Sequence, residues 1–161
     1  MCLGSYCFLW GQKQESTSTW HGMYLSNGNP TEAVDVMHYC WKGYWPEKRA
    51  PSIQEIFLNG ESWKANHEFN ERDVIELSYV VDKYNNEKVY LNFEIYPETF
   101  STQQGGDFQK SPEKIDFKII NESNNKLVLE APRKNGAYRI FVFAKNDYNQ
   151  YSVANIPFKV R

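Results

Sequence analysis

Cysteine is scarce in this sequence: only Cys2, Cys7 and Cys40 occur. No CxxC is among them, so the zinc-ribbon and thioredoxin-like patterns are excluded. An odd number leaves at least one thiol unpaired or paired between molecules, and buried reduced thiols are the simplest reading. A Cys7–Cys40 bridge requires the first strand and the helix to lie side by side. Histidine is equally sparse. His21, His38 and His67 have no second ligand at helical spacing, and no metal site is expected. Long apolar runs are missing too: none approaches the roughly 20 residues of a membrane-spanning helix, so no membrane partner is expected. Nor is there a charge excess. A net charge of −2 argues against a nucleic-acid partner. No GxGxxG, P-loop or Ser/His/Asp order is present, and no cofactor is implied. The apolar stretch after Met1 has no basic residues ahead of it and makes a poor signal peptide.

What the sequence has in quantity is aromatic side chains, 16% of 161 residues. The length suits one domain, or one domain with an appendage, and is enough to bury a core without metals or disulfides. Composition changes near residue 50. Trp10, Trp20, Trp41 and Trp45 lie before it and only Trp63 after. Before it, Lys13, Lys42, Lys48 and Arg49 balance Glu15, Glu32, Asp35 and Glu47, so the net charge falls wholly in the remainder. Between the two parts, Trp45-Pro46-Glu47-Lys48-Arg49-Ala50-Pro51 places prolines on either side of a charged run and reads as a linker. The expected division is residues 1–45, a linker at 46–51, and a domain at 52–161.

The first part reads strand, loop, strand, helix. Tyr6 to Trp10 is a short apolar run between Gly4 and Gly11 and suits a strand buried on both faces. Such a strand so near the start suggests a fragment of a longer polypeptide. Gln12 to Ser18 is polar and loop-like. Trp20 to Leu25 is a second strand, ended by the Asn27-Gly28 turn signal. A helix follows, capped by Asn29 or Thr31, with Pro30 in its first turn and Glu32 at its positive end. Ala33, Met37, Cys40, Trp41 and Tyr44 recur on one apolar face, and Gly43 is the stop.

The second part reads as strands. Ile53 to Leu58 ends at the Asn59-Gly60 turn signal, and Val74 to Val81 alternates in part. Val89, Leu91, Phe93 and Ile95 alternate cleanly with Tyr90, Asn92, Glu94 and Tyr96. Ile115 to Ile120 and Leu127 to Leu129 are shorter. Tyr138, Ile140, Val142 and Ala144 face one way; Arg139, Phe141 and Phe143 face the other. Ser152 to Val160 closes the chain, with Pro157 marking an edge. About seven strands with regular turn signals predict a mainly β fold, an immunoglobulin-like antiparallel β-sandwich carrying an N-terminal strand/hairpin-plus-helix appendage. Tyr138, at the entry to the penultimate strand after Asn135-Gly136-Ala137, suits a tyrosine corner, and Phe93 the buried aromatic of such sandwiches. Both also read as ordinary core residues. The inter-sheet cysteine pair is absent. Asp82-Lys83-Tyr84-Asn85-Asn86-Glu87 gives little support for calcium. Asn121-Glu122-Ser123 fits a glycosylation acceptor, a motif short enough to arise by chance. Lys110, Lys114 and Lys118 read as a solvated face.

Three stretches carry a family resemblance: Phe8-Leu9-Trp10-Gly11-Gln12-Lys13-Gln14-Glu15-Ser16-Thr17, Thr19-Trp20-His21-Gly22-Met23, and Thr31-Glu32-Ala33-Val34-Asp35-Val36-Met37. They resemble the end of a glycoside hydrolase (β/α)8 barrel. The Trp45–Pro51 segment is similar to the linker joining such a barrel to an appended immunoglobulin-like module. Glu98-Thr99, Gly105-Gly106-Asp107-Phe108, Gly136-Ala137-Tyr138-Arg139 and Ala154-Asn155-Ile156-Pro157-Phe158 resemble that module. The resemblance implies that Trp10, Gln12, Lys13, Gln14, Glu15 and Trp20 are carbohydrate contacts, with indole faces stacking on sugar and polar groups bridging hydroxyls. Read from the residues alone, Trp10 and Trp20 equally pack the helix onto a sheet, and Glu15 is a solvated loop carboxylate.

Glycoside hydrolysis normally takes two carboxylates. The resemblance puts them on earlier barrel strands that this chain does not contain, and one strand with one helix cannot close a barrel. The expectation is therefore a chain without catalytic residues: a C-terminal accessory region of a glycoside hydrolase, packing on or supporting its catalytic barrel. The alternative is an autonomous carbohydrate-binding module using exposed aromatics. A third reading, a small complete enzyme using Glu15, predicts hydrolysis of aryl glycosides by the chain alone. The expected partners are a catalytic barrel domain or a second copy of the chain, with carbohydrate as a further ligand. An extracellular or periplasmic parent enzyme is implied by the resemblance alone.

Overall fold

The period-two apolar pattern beyond residue 50 becomes a strand ladder in the computed structural model, which describes residue 4 and residues 6–19, 22–99 and 108–161. Among the described residues one helix, α1 (Glu32–Lys42), precedes nine strands: β1 (Ser52–Leu58), β2 (Glu61–Ser62), β3 (Glu68–Phe69), β4 (Val74–Asp82), β5 (Val89–Pro97), β6 (Ile119–Ser123), β7 (Lys126–Glu130), β8 (Gly136–Asn146) and β9 (Tyr151–Val160). They form two sheets, ordered β2-β1-β4-β7-β6 and β3-β9-β8-β5. Set aside the two-residue strands, and the order is that of the A-B-E-D and C-F-G sheets of an immunoglobulin constant-type domain. The short β3 runs parallel to the end of β9, while the other pairings are antiparallel. The domain is an immunoglobulin-like β-sandwich.

Alternate residues of both sheets fill the space between them. Ile75, Leu77 and Tyr79 of β4, Leu127 and Leu129 of β7, and Ile140 and Val142 of β8 are buried in one cluster. Ile95, Ile140 and Ile156 stand in register across β5, β8 and β9. The Tyr138 hydroxyl donates to the Lys134 carbonyl at 2.7 Å, the geometry of a tyrosine corner, in which the penultimate strand is tied to the turn before it. Two residues on, where antibody domains carry their second cysteine, this chain has buried Ile140. Apolar packing stands in place of the inter-sheet disulfide. Phe93 is half-buried on β5, and its ring lies 5.7 Å from that of Tyr79 across the sandwich.

Turn chemistry sets the hairpins. Asn59 and Gly60 both have positive φ, 49° and 82°, as a two-residue turn between β1 and β2 demands. The expected strand at Ile115 to Ile120 begins later, at Ile119. Ile115 bridges Ile95 in one sheet, whereas Lys118 accepts from the Glu130 amide in the other. A segment changing sheets cannot keep one ladder, so residues 115–118 stay irregular. Pro157 has β8 on one side only, since β3 reaches no further than Lys159 and Val160. Its missing N–H therefore costs no rung.

The N-terminal part departs from expectation. Tyr6 to Trp10 is not a buried strand: Tyr6, Phe8 and Trp10 are exposed, and Leu9 makes an isolated bridge to Gly22. A strand buried on both faces needs a neighbour at each edge, and no regular ladder runs along this stretch among the described residues. The expected strand at Trp20 to Leu25 is likewise reduced. Trp20 and His21 lie outside the described residues, and Met23 and Leu25 pair back to Thr31 and Asn29 across the Asn27-Gly28 turn. Gly28 sits there with φ 80°. Gly43 ends α1 with φ 77°, its N–H reaching the Tyr39 carbonyl. Thr31 occupies the N-cap, but its hydroxyl donates to the Met23 carbonyl instead of capping.

The helix docks by its acids. Its one buried residue is Asp35, while Cys40, Trp41 and Tyr44 of the expected apolar face are exposed. Cys40 is thus a free exposed thiol and not a buried one; Cys7 is free and half-buried, and Cys2 lies outside the described residues.

Candidate functional site

Two surfaces stand out, one on α1 and one on the outer face of the β5-β8-β9 sheet. The first depends on how α1 is seated. Asp35 accepts from the buried Ala50 amide at 2.6 Å. Burial pushes the Asp35 carboxyl above its ordinary range, against the opposing pull of that hydrogen bond and of Arg49. Burial also raises Glu32, against hydrogen bonds from Ser52 and Ser152. Ser52 opens β1 and Ser152 lies in β9, so the helix start straddles the junction of the two sheets.

The Trp45–Pro51 segment is held on every side. Asn146, fully buried, donates to the Arg49 carbonyl and to Gln150, and accepts from the Tyr148 and Gln150 amides. Gln150 donates to the Lys48 carbonyl. The Arg49 guanidinium lies between the rings of Trp45 and Tyr84, at 3.8 and 3.5 Å from their centroids, a doubled cation–π contact. The linker is a clamped corner.

With its acids inward, α1 turns aromatics outward. Trp41 is 58% exposed and Trp10 54%, their rings stacked at 5.8 Å and 29°. Tyr39 stacks on Trp45 at 4.6 Å, and His38 meets Tyr44 edge-on. Val36 is exposed on the same helix. Aromatic surface this dense makes α1 a candidate interaction face.

The second surface is a cleft of about 300 Å³ between residues 12–19 and 25–26 and the outer face of β5 and β8. Thr99 donates to the Ser16 carbonyl and the Ser16 amide donates to Gln109, fastening the segment over the sheet. The floor is aromatic: Phe141 stacks on Phe143 and meets Tyr96 edge-on. Arg139 makes two contacts to Glu98, at 2.6 and 2.8 Å, and reaches Asn155 at 2.6 Å. The Tyr96 hydroxyl donates to Glu94 at 2.7 Å, and Lys114 pairs with the other Glu94 oxygen at 3.3 Å. Burial and the neighbouring Glu94 carboxylate drive the Tyr96 hydroxyl far above its ordinary range.

The residues singled out in the sequence are dispersed. Gln12 and Gln14 line the cleft. Lys13 and Glu15 form an ion pair at 3.0 Å beside it. Trp10 belongs to the aromatic face of α1, and Trp20 lies outside the described residues. The cleft residues that sequence reasoning missed, Glu94, Tyr96, Glu98, Arg139, Phe141 and Phe143, had one legible signal. Phe141 and Phe143 sit on the strand face opposite the core, and two phenylalanines there demand a cover. No group of three or more metal-ligating side chains occurs among the described residues.

The chain matches no family model and no curated protein. Solved structures similar to it include PcoC, a methionine-rich copper resistance protein from Escherichia coli, at 16% identity and TM-score 0.39, covering 70% of this chain and 99% of that one. A DUF4784 family protein from Bacteroides caccae is similar at 10% identity and TM-score 0.34, over 67% of this chain and 24% of that chain. Murine CRIg is similar at 8% identity and TM-score 0.36, over 69% and 96%. What the fold and surfaces define is an immunoglobulin-like sandwich with a docked N-terminal segment and an outward aromatic helix.

Proposed function

We propose that this chain is a non-catalytic accessory region of a glycoside hydrolase, whose α1 face packs on the catalytic barrel. The observation that carries the reading is the orientation of α1. The helix is fixed to the sandwich by Glu32, Asp35 and the clamped corner, and this leaves Val36, Tyr39, Trp41 and Tyr44 for another surface. Covering a large apolar side chain is worth roughly 1.5–3 kcal/mol, so that face favours association with a complementary apolar wall. The resemblance of residues 8–37 to the end of a (β/α)8 barrel supplies the identity of that wall.

The carboxylates support a non-catalytic role. Glu94 lies in β5 and Glu98 just past its end. Both are engaged, Glu94 by Tyr96 and Lys114, Glu98 by Arg139. Glu15 is paired with Lys13. The second reading, a carbohydrate-binding module, is favoured by the stacked and exposed Trp10–Trp41 pair.

The test is the DNA immediately upstream of the Met1 codon, together with an assay of the chain alone. The expected outcome is an open frame continuing into a (β/α)8 barrel with paired carboxylates at its strand ends, and no aryl glycoside hydrolysis by the isolated chain. An in-frame stop with no barrel gene adjacent contradicts the reading, and so does hydrolysis by the chain alone.

A further inference from the structure

We propose that the outer face of the β5-β8-β9 sheet is a binding groove for a neutral saccharide chain, distinct from the aromatic face of α1 and independent of its docking. The cleft under residues 12–19 and 25–26 does not stand alone. A second concavity, lined by Tyr90, Asn92, Lys145 and Tyr151, shares Glu94 and Phe143 with it. Together they run along β8 from Arg139 to Lys145, about 20 Å of strand. That length takes several sugar rings in a row.

The chemistry of the walls selects the ligand class. Accessible rings recur along the groove, with Tyr96 and Phe143 at one end and Tyr90 and Tyr151 at the other, while Phe141 is buried. Such rings present flat apolar faces to the C–H faces of pyranoses. The charges of the first cleft are already matched, Glu98 by Arg139 and Glu94 by Lys114. An ionic ligand would have to break those pairs; a hydroxyl-rich neutral one adds hydrogen bonds to them.

One buried group points to an absent ligand. Gln14 lines the cleft and is only 8% exposed, and its Nε2, itself out of solvent reach, has no hydrogen-bond partner among the described residues. A buried amide donor left unmatched is costly, and a rotation of the Gln14 side chain into the cleft would let a sugar hydroxyl accept from it.

The test is amide NMR of the intact chain titrated in parallel with cellotetraose, xylotetraose and mannotetraose, with Gln14→Leu and Tyr90→Ala as variants. At least one tetrasaccharide is expected to shift amides of residues 90–98 and 139–145. Gln14→Leu should weaken that binding roughly tenfold, the scale of one lost hydrogen bond, without lowering Tm, since Nε2 gives up no existing bond. Tyr90 is half exposed, so Tyr90→Ala serves as the second variant if the first misfolds. The proposal fails if no tetrasaccharide shifts these amides. It fails equally if the shifts gather on Trp10 and Trp41 alone, or if both folded variants bind as the parent does. None of these outcomes touches the docking of α1, which does not use the groove.

Discussion

Replacing Ile140 by alanine lowers the unfolding free energy by about 2–5 kcal/mol, the range for truncating a buried isoleucine where the surroundings cannot collapse. Ile140 is 1% exposed and stands between Ile95 and Ile156, which are themselves fully buried in neighbouring strands. The ladder on both sides holds β8 in place, so the cavity stays open. The site is also where antibody domains spend a disulfide, and here apolar packing takes its place. Ile140→Val removes one methylene and should cost about 0.5–1.5 kcal/mol. Urea unfolding checks both through the midpoint at unchanged slope. A cost below about 1 kcal/mol for alanine would mean that this row does not carry the core.

Asp35→Ala should loosen the helix and the corner together. It leaves the buried Ala50 amide without its acceptor, a loss of about 1–3 kcal/mol. Asp35→Asn keeps an acceptor while removing a charge that burial disfavours, so it should cost much less. Hydrogen exchange at the Ala50 amide reads the difference directly. The same carboxyls give a pH signature. Glu32 and Asp35 have folded pKa values above their ordinary 4.5 and 3.8. In the interval above those values the folded protein binds more protons than the unfolded chain, so their contribution is full below the ordinary values and is lost as pH rises through the raised ones. The stability of the parent minus that of a Glu32→Gln/Asp35→Asn double variant should therefore fall as pH rises across that window. A difference that is flat or rises with pH would contradict the burial of these acids.

The sandwich was legible because its signals are local. Strict alternation over Val89 to Ile95, the Asn59-Gly60 turn, and Tyr138 after Gly136 each fix an element and its facing without distant partners. The irregular crossing at residues 115–118 was not legible, because the sheet that Ile115 and Lys118 join is decided by strands far away in sequence. The helix was found but its orientation was not. Trp41, Tyr44 and Met37 make an apolar stripe, and a stripe ordinarily faces the core. Here Asp35 holds the helix by accepting from the buried Ala50 amide, with Glu32 set beside Ser52 and Ser152, and those partners carry no periodic signal. The Tyr6–Trp10 run misled for a related reason. Its apolar density suits a strand with two neighbours, and no regular ladder runs along it among the described residues. Gln12 and Gln14 were read from the resemblance and line the cleft; their companions Glu94 and Arg139 come from strands that only the fold brings together.

The central claim is that the outward face of α1 is a covered surface in the working protein. Cys40, exposed on that helix with a free thiol, reports on it. The measurement is the rate of Cys40 alkylation, resolved by peptide mass spectrometry, for the chain alone and for the chain with the barrel polypeptide that the proposed function places upstream. The account predicts fast labelling of the isolated chain and protection when the barrel is present, with protection lost on Trp41→Ser/Tyr44→Ser. Equal labelling rates with and without the barrel would contradict it.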